Sequence, residues 1–489
     1  MTEKTRLKVG VFSLKRRFIV MLAVVLVLSN LITYRATRNA YRWPVNMPPA
    51  AVENGDDNVA EEKSAELAAF LEVLSILEDR YLDEVSQEEL LTAAIQGMVE
   101  SLDDPQTSFL DPSHWEEMMI TIDGSFSGIG VEINSVDDYI TIISPIRNTP
   151  GERAGLLAGD RIVEVDGEDI VGITTMEAVQ LMRGPEGTPV TITVERDGVD
   201  EPITVEIIRE SIMLPSVFPK MLESGIGYIE VTNFDEHTGE TFREALLELE
   251  TEDMGGLILD LRDNPGGLLN EAVKIARELL PAGPITHMVD RDGEILETYQ
   301  SFGTEKPYPI VVLVNGASAS ASEIIAGAFQ DTGTATVVGT KTYGKATVQH
   351  LEGLANSTGL RYTVAKYQTP NGRDINEVGL EPDVEVELPE ELRVLFHRVA
   401  RDLKPGDEDM NVQFLQQMLK SLDYNVNDTG VYDSATERAV RSFQNEHGLN
   451  ATGELNLETR TQLNEEIDLL LEENDTQMQK AVEVILEKM

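Results

Sequence analysis

The sequence predicts an α/β protein in an α+β multidomain arrangement, in which a parallel-sheet core lies between smaller modules. Its 489 residues are enough for about three domains. Residues 211–390 alternate apolar strand patterns with helix patterns, which is typical of a mostly parallel, buried sheet with right-handed crossovers. Residues 119–210 are instead rich in short strand patterns, with one helix pattern near Thr174–Met182. These two regions predict a small β-rich module followed by the α/β core.

The composition excludes several classes of function. The chain carries 87 acidic and 39 basic residues, a net charge of −48, so nucleic acid is not expected as a partner, because phosphate binding needs a basic surface. The acidic residues are spread along the chain, which favours a solvated surface suited to a salt-rich environment over a site for cationic ligands. The chain has no cysteine, which excludes disulfides, thiol nucleophiles and cysteine-ligated metals.

The N-terminal residues have the pattern of a membrane anchor. Residues 1–17 contain six lysines and arginines and predict a basic cytoplasmic tail. Residues 18–34 are apolar over a length at the lower limit of a spanning helix, which predicts a single-pass transmembrane signal anchor with its N-terminus inside. Cleavage of this segment stays open, although no clear small-residue cleavage site follows it. Either way, the bulk of the chain is expected to be extracytoplasmic, at the cell membrane if the anchor is kept.

The next two segments suggest no chemistry. Residues 35–61 lack periodicity and predict a linker. Residues 62–118 predict an N-terminal helical segment, because apolar residues such as Leu67, Leu71 and Leu74 recur at helical spacing. We interpret this segment as a helical cap that packs on the neighbouring domains.

The β-rich module, residues 119–210, opens with a glycine-containing turn, Ser127-Gly128-Ile129-Gly130, before a strand pattern. Glycines allow consecutive backbone N–H groups to converge on an anion. Such a turn beside an open strand edge can hold the C-terminal carboxylate of a peptide that adds to the sheet as a strand. Gly128, Ile129 and Gly130 are therefore candidate peptide-binding residues.

This module resembles a PDZ domain. The resemblance rests on four motifs, R-A-G-L at residues 153–156, G-D-R-I at 159–162, V-D-G at 165–167 and M-R-G-P-E-G-T at 182–188. It implies a peptide groove between Val131–Ile133 and the helix that carries Val179 and Met182. Arg183 at the end of that helix could contact the peptide or the α/β core, or only water.

A candidate nucleophile lies in the α/β core, residues 211–390. The apolar strand pattern Ile310–Val314 is followed by a run of alanines and serines and then by a helix pattern that starts at Glu323. A serine such as Ser320 at this point is exposed beside a helix N-terminus, whose free N–H groups and dipole can stabilise an oxyanion. A free serine is a poor nucleophile, however, and needs a base.

Lys345 is the candidate base. The β-branched Thr347 and Val348 predict a strand, whose period of two places Lys345, Thr347 and Gln349 on one face. A lysine that is desolvated against an apolar wall has a lowered pKa and can act as a general base. Gln349 could orient its amine without adding charge.

Three motifs of the core resemble those of the C-terminal processing peptidases, which are tail-specific serine proteases of family S41. They are S-A-S-A-S-E at residues 318–323, G-K-x-T-V-Q at 344–349 and D-L-R-x-N-P-G-G at 260–267. The resemblance implies a crotonase/ClpP-like α/β protease core with Ser320 as nucleophile, Lys345 as base and Gln349 as its orienting partner. It also implies an oxyanion hole made by the N–H of Ala321 and a glycine N–H, and no metal or other cofactor. The candidate glycines are Gly266 and Gly267.

The sequence offers two alternative chemistries. Residues 339–345 fit the first seven positions of a phosphate-binding P-loop, but Ala346 replaces the magnesium-binding Ser or Thr, and a strand pattern follows. A Ser-His-Asp triad that uses His350 is not excluded by spacing. The absence of a G-x-S-x-G motif and the presence of Lys345 make it the less favoured alternative.

The C-terminal part predicts a second small module. Residues 391–405 predict a linker, and residues 406–466 resemble the peptidoglycan-binding type 1 domain, which has three helices. Ligand residues vary in that domain, so none is predicted, and an interdomain or inhibitory module without a glycan ligand is the alternative. Residues 467–489 predict an acidic terminal helix.

Together these patterns predict a serine-type endopeptidase on the outer face of the cell membrane, whose PDZ domain holds protein substrates by their C-terminal tails. Peptidoglycan is a further candidate partner, the membrane is contacted through the N-terminal helix, and homo-oligomer formation is left open. The alternative is a non-catalytic scaffold or adaptor with PDZ and peptidoglycan-binding modules.

Overall fold

The computed structural model describes residues 57–136, 138–399 and 401–489. The chain forms two compact units, one that ends at Ala94 and one that runs from Ile95 to Met489. The predicted basic tail, the membrane anchor and most of the linker lie outside the described residues. Among the helices in the described ranges, none is both long and apolar enough to cross a membrane.

The predicted N-terminal helical segment contains three helices: α1 (Asp57–Arg80), α2 (Gln87–Glu100) and α3 (Pro112–Asp123). Apolar side chains at helical spacing on α1, such as Leu67, Leu71 and Val73, are 52–59% exposed. The short strand β1 (Ser108–Leu110) lies between α2 and α3. Asp111 caps α3, because its carboxylate accepts a hydrogen bond from the backbone N–H of His114.

The elements of the β-rich module are β2 (Ser125–Gly128), β3 (Val131–Val136), β4 (Tyr139–Pro145), α4 (Pro150–Arg153), β5 (Arg161–Val165), β6 (Glu168–Asp169), α5 (Thr175–Met182), β7 (Pro189–Glu195), β8 (Ile203–Ile208) and β9 (Glu210–Met213). Its main sheet has the order β3-β4-β5-β7-β8, with β6 paired to β5, and β2 pairs separately with β9. Ile140, Ile162 and Val194 are fully buried in its core. A capping box of Thr174 and Glu177 starts α5.

The α/β core contains two sheets. Its elements are β10 (Val217–Met221), β11 (Ile226–Val231), α6 (Thr238–Thr251), β12 (Gly256–Asp260), α7 (Leu269–Leu279), β13 (Gly283–Val289), β14 (Ile295–Ser301), β15 (Ile310–Val314), α8 (Ala321–Thr332), β16 (Thr336–Gly339), β17 (Thr347–Gly353), β18 (Gly359–Gln368) and β19 (Val384–Glu385). The first sheet has the order β10-β11-β12-β15-β16-β19, and every pair except β10–β11 is parallel. The predicted parallel sheet is therefore confirmed. The second sheet is antiparallel, with the order β1-β18-β13-β14 and β17 against β18.

Both faces of the parallel sheet are covered. All five residues of β12 and all five of β15 are buried, as expected for central strands between two layers. The core on one face includes residues of α6, α7 and α8, such as Phe242, Ile275 and Phe329. This arrangement places the carboxyl ends of β12 and β15 side by side, where the D-L-R-x-N-P-G-G turn and the serine run begin.

The C-terminal module has a core of its own. The helices after β19 are α9 (Glu390–Arg393), α10 (Met410–Ser421), α11 (Ser434–Glu446), α12 (Leu457–Glu473) and α13 (Thr476–Lys488), of which the first four belong to the module. Leu415, Phe443 and Leu463 from the three longer module helices meet in one buried cluster. The acidic terminal helix predicted over 467–489 is two helices, because Asp475 caps a new one by accepting a hydrogen bond from the N–H of Met478.

Helix α13 covers the other face of the parallel sheet. Its buried Ala481, Val484 and Ile485 pack in one cluster with strand residues Ile258 and Val311. Residues 467–489 are acidic overall, so the narrow apolar stripe at helical spacing was not recognised from the sequence. Helix α13 is therefore part of the α/β core, although the small module separates it from β19 along the chain.

This packing predicts a large difference between two neighbouring substitutions. Ile485→Ala removes a fully buried side chain and is expected to lower the free energy of unfolding by about 2–4 kcal/mol. Leu486→Ala, at a position 51% exposed, is the matched control, with an expected loss below about 1 kcal/mol. Urea denaturation of the full chain measures both. Equal losses in the two variants would contradict the packing of α13 on the sheet.

Candidate active site

Three serines lie at the start of α8, and their environments differ. Ser318 and Ser322 are fully buried, and their hydroxyls donate hydrogen bonds to the carbonyl oxygens of Leu261 (2.7 Å) and Asn264 (3.0 Å). Ser320 is only half-buried, and its hydroxyl has no acceptor among the described residues. Of the three, Ser320 is therefore the serine whose hydroxyl is available for chemistry.

The backbone at Ser320 is strained. Its φ of 53° and ψ of −111° lie in a region that non-glycine residues rarely adopt, at a typical cost of about 1–3 kcal/mol. Gly266 packs directly against this turn, because a Cβ at position 266 would lie 2.8 Å from the Cβ of Ser320 and 3.1 Å from the N of Ala321. The close approach requires glycine at 266.

Glu323 fixes the relative position of Ser320 and Lys345. Its side chain is fully buried, and one oxygen accepts hydrogen bonds from the backbone N–H of Ser320 (2.9 Å) and of Lys345 (2.8 Å). The other oxygen accepts from the Thr342 hydroxyl (2.6 Å) and the Gly344 N–H (2.7 Å). The sequence analysis gave this residue no role. A glutamate three residues after a serine at a helix start is, however, a capping-box signal that could have found it.

Tyr367 contacts the backbone carbonyl groups of Ser320 and Lys345. Its hydroxyl lies 2.9 Å from the carbonyl oxygen of Ser320 and 2.6 Å from that of Lys345. Burial, together with the charge of Glu323, raises the pKa of Tyr367 well above its usual value, so the hydroxyl remains a donor. Glu323 and Tyr367 thus hold the backbones of Ser320 and Lys345 together through both their amides and their carbonyls.

Lys345 has the environment expected of a base. Burial lowers the pKa of Lys345, the positive charge of Arg361 lowers it further, and Asp104 and Glu323 partly oppose the shift. Its ammonium makes no hydrogen bond or ion pair within the described ranges, so it is not hydrogen-bonded to the Ser320 hydroxyl in this structure. Catalytic hydrogen bonds are often absent from structures without substrate and form in the complex.

Gln349 lies on the same strand face as Thr347, as the period of two predicts, but β17 begins at Thr347, so Lys345 precedes the strand and does not share that face as part of it. Its amide nitrogen donates to the Thr347 hydroxyl, 2.9 Å away. No hydrogen bond joins Gln349 to Lys345 within the described part of the chain. The alternative base, His350, pairs with Glu352 at 3.3 Å and packs edge-on against Tyr362, and it makes no hydrogen bond to Ser320.

The two candidate oxyanion-hole glycines differ in whether their N–H groups are already hydrogen-bonded. The N–H of Gly266 is donated to the side-chain oxygen of Asn264, 2.9 Å away. The N–H groups of Gly267 and Ala321 have no acceptor among the residues that the structure describes. Arg262, in the same turn, is bound to Asp260 (2.6 Å) and to Asp475 at the start of α13 (2.8 Å).

The predicted peptide-binding turn lies between β2 and β3. Gly130 has a φ of 75°, and a Cβ there would lie 2.3 Å from the Cβ of Thr149, so no larger residue fits. Arg183 follows α5 and stacks over the Phe126 ring, 5.3 Å from its centroid. Its guanidinium is also 4.0 Å from Glu116 on α3. Arg183 therefore contacts α3 and β2, and not Ser320 or Lys345.

Comparison with known sequences identifies the family. The family model of peptidase family S41 matches residues 225–386. Carboxy-terminal processing protease CtpA of Bacillus subtilis is 36% identical over 410 residues, which cover 84% of this chain and 88% of that protein. The chain belongs to the carboxy-terminal processing proteases of family S41. The resemblance stated from the motifs is thereby confirmed, and the chain is a serine-type peptidase by family.

Models of three further domains match other parts of the chain. A PDZ domain model matches residues 141–196, a peptidoglycan binding domain model matches 408–463, and the model of the activating protease CtpB N-terminal domain matches 26–113. Carboxy-terminal processing protease CtpB of Bacillus subtilis is 32% identical over 90% of this chain and 93% of its own length. Among solved structures, the photosystem II D1 C-terminal processing protease is similar, with 31% identity, a TM-score of 0.39, and coverage of 69% of this chain and 99% of that one.

Proposed function

We propose that this protease is an endopeptidase that uses Ser320 as nucleophile and Lys345 as general base. The observation that carries the proposal is that Glu323 and Tyr367 each contact the backbones of both Ser320 and Lys345. These contacts hold the strained Ser320, whose hydroxyl is available, close to Lys345. The lowered pKa of Lys345 supports a neutral amine that can accept a proton.

The steps follow from the positions of the backbone groups. Lys345 takes the proton of the Ser320 hydroxyl as the oxygen attacks the peptide carbonyl. The N–H groups of Ala321 and Gly267 stabilise the oxyanion, and the N-terminus of α8 adds its dipole. Lys345 then gives its proton to the leaving amine as the C–N bond breaks. Water hydrolyses the acyl-enzyme, with Lys345 again as base.

Gly266 and Gln349 have supporting roles in this proposal. Because the N–H of Gly266 is committed to Asn264, we assign Gly266 to the close packing of the turn and Gly267 to the oxyanion hole. Gln349 lies on the strand that follows Lys345, and we assign it to orienting the Lys345 amine during the reaction.

The PDZ domain and the C-terminal module define the proposed partners. We assign Gly128, Ile129 and Gly130 to the carboxylate of a substrate tail that adds beside β3. The anchor at residues 18–34 would place the protease on the outer face of the cell membrane, within reach of peptidoglycan, the proposed ligand of the C-terminal module. Self-association is compatible with this arrangement, because it would cover the exposed apolar side chains of α1.

The proposed function is tested with an unstructured protein that ends in an apolar tail. We expect the full chain to cleave it and expect much slower cleavage of the same protein with an amidated C-terminus, because the carboxylate is lost. A fluorophosphonate probe should label Ser320, as mapped by mass spectrometry. Tail binding without cleavage or labelling would favour the alternative, a non-catalytic scaffold.

Arg183 provides a test of communication between the PDZ domain and the rest of the chain. Because Arg183 contacts Glu116 and Phe126, Arg183→Ala is expected to reduce cleavage stimulated by an added tail peptide about tenfold, without changing basal cleavage. Glu116→Gln should give a change in the same direction if the contact to α3 is responsible. Unchanged peptide stimulation in Arg183→Ala would refute this role.

A further inference from the structure

A cluster of polar side chains connects the segment before β1 to the strand that carries Gln349. Asp104 is half-buried, and one of its oxygens accepts hydrogen bonds from the hydroxyls of Thr107 (2.6 Å) and Thr363 (2.7 Å). Its other oxygen accepts from the N–H of Gln106, 2.9 Å away. Strand β1 adds to β18 directly after this segment, with Ser108 opposite Arg361. A part of the chain to which the sequence analysis assigned no chemistry therefore borders the proposed active site.

A β-bulge brings Thr363 opposite Gln349. In the β17–β18 pair, Val348 lies opposite Ala365 but Gln349 lies opposite Thr363, so Val364 is the extra residue on β18. The shift places the Thr363 hydroxyl on the face of Gln349, whose amide nitrogen lies 3.5 Å from it. Bulges next to active sites commonly re-aim a side chain in this way.

The charge of Asp104 sets the direction of the hydrogen bonds along this cluster. Partial burial opposes ionisation, but the hydrogen bonds from Thr107 and Thr363 hold the pKa of Asp104 below its usual value. An ionised carboxylate only accepts, so the single hydroxyl proton of Thr363 points to Asp104. The Thr363 oxygen can then only accept a hydrogen bond from Gln349, which must present its NH2 group.

This direction of the hydrogen bonds leaves the carbonyl end of the Gln349 amide without a hydrogen-bond donor in the described part of the chain. Its nitrogen faces the hydroxyls of Thr347 and Thr363, and its carbonyl oxygen has no donor among the described residues. A carbonyl oxygen is the group that can accept a hydrogen bond from an ammonium. In the reversed amide the free end would be the NH2 group, which cannot accept a hydrogen bond from the ammonium that forms when Lys345 removes the Ser320 proton.

We propose that Asp104 is a positioning residue of this protease, which acts through Thr363 to fix the Gln349 amide with its carbonyl oxygen available to Lys345. The inference rests on the proposed roles of Ser320 and Lys345. It deepens them, because it extends the catalytic support to a segment that lies before the PDZ domain. The Asp104 charge also favours the protonated form of Lys345.

The hydrogen bonds that link Asp104 through Thr363 to Gln349 are called the relay below. Two substitutions at Thr363 test it with little change in side-chain shape. Thr363→Val removes the hydroxyl but keeps a β-branched residue in the strand, and we expect kcat to fall about 10- to 100-fold with KM changed less than about twofold. Thr363→Ser restores a hydroxyl and should recover kcat to within about threefold. Equal kcat in Thr363→Val and the parent, or equal loss in Thr363→Val and Thr363→Ser, would overturn the proposal.

Asp104→Asn tests the charge, with Asp103→Asn as the matched control at an exposed neighbouring carboxylate. An asparagine can donate to Thr363, so the hydroxyl is free to turn, and we expect kcat to fall about tenfold or more. Because Asp104 raises the pKa of Lys345, its loss should move the acidic limb of the kcat–pH profile to lower pH. Arg361 and Glu323, the other charges that act on Lys345, stay the same in both variants. Asp103→Asn should change neither kcat nor the position of the acidic limb.

The outcomes separate this inference from the proposed function. If the parent cleaves and Ser320→Ala does not, the function stands, and an Asp104→Asn enzyme with unchanged kcat and an unmoved pH limb overturns only the relay. If Ser320→Ala still cleaves, the proposed function itself is wrong, and the relay loses its basis. Circular dichroism and thermal unfolding of each variant show that the rates refer to folded protein.

Discussion

Alanine at Ser320 or at Lys345 is expected to reduce kcat by about 10⁴-fold or more while the fold is retained. Ser320→Ala removes the oxygen that attacks the peptide carbonyl, and its hydroxyl donates to no described group, so little stability is lost with it. Lys345→Ala removes the proton acceptor from a site in which Glu323 and Tyr367 contact only its backbone. Cleavage of the tailed protein substrate, followed by fluorescence, measures both effects.

Lys341→Ala is the control for the lysine substitution. Lys341 is exposed and pairs with Glu381 at 2.8 Å, four residues before Lys345 and outside the proposed site. We expect kcat within about twofold of the parent value, because exposed ion pairs contribute little. A large loss in Lys341→Ala, or substantial cleavage by Lys345→Ala, would contradict Lys345 as the base.

The pH dependence of the parent follows from the lowered pKa of Lys345. The general base must be neutral, so kcat rises as the pH increases through the pKa of Lys345 and falls below it. Burial moves this pKa below the ordinary value of 10.5, so the acidic limb of the profile is expected below pH 10.5. A limb at or above that pH would show that Lys345 is not desolvated in the active enzyme.

Glu323→Gln is expected to lower kcat by about 100-fold or more and to destabilise the α/β core by about 3 kcal/mol. The carboxylate accepts four hydrogen bonds, and a glutamine would turn two N–H donors toward groups that are themselves donors. The backbones of Ser320 and Lys345 would then lose their common acceptor. Steady-state kinetics and urea denaturation test the two parts of this prediction separately.

Glu381→Gln is the matched control, since Glu381 is an exposed glutamate whose side chain forms one ion pair within the described ranges, with Lys341. We expect no measurable change in kcat and less than about 1 kcal/mol in stability. An active and stable Glu323→Gln enzyme would mean that Glu323 does not hold the two catalytic segments together.

The sequence was most informative where a pattern is local. Strand and helix periods predicted the parallel sheet, and the period of two placed Thr347 and Gln349 on one face, as their hydrogen bond shows. The small-residue run between β15 and α8 indicated Ser320, and burial separates it from Ser318 and Ser322. Local chemistry was sufficient for these residues because their neighbours in sequence are also their neighbours in space.

The sequence was least informative where residues far apart in the chain share one contact. Tyr367 reaches Ser320 and Lys345 only because β18 crosses the site, and a tyrosine in a strand pattern gives no sign of that. Asp104 meets Thr363 because β1 pairs with β18, and a bulge decides which residue faces Gln349. The apolar stripe of α13 was obscured because acidic residues such as Glu472, Glu473 and Asp475 directly precede it in the sequence. Each of these contacts depends on register and pairing between distant segments.

The insertion of the small helical module between β19 and α13 has a consequence for how the protein matures. Synthesis proceeds from the N-terminus, so Ile258 and Val311 on one face of the sheet stay uncovered until residues 476–488 have been made. At typical elongation rates of about 5–20 residues per second, the stretch from Glu385 to Thr476 delays this covering by roughly 5–20 seconds. During that time Arg262, in the turn that carries Gly266 and Gly267, lacks Asp475. The turn therefore completes its contacts last, and a nascent chain does not yet contain a finished protease.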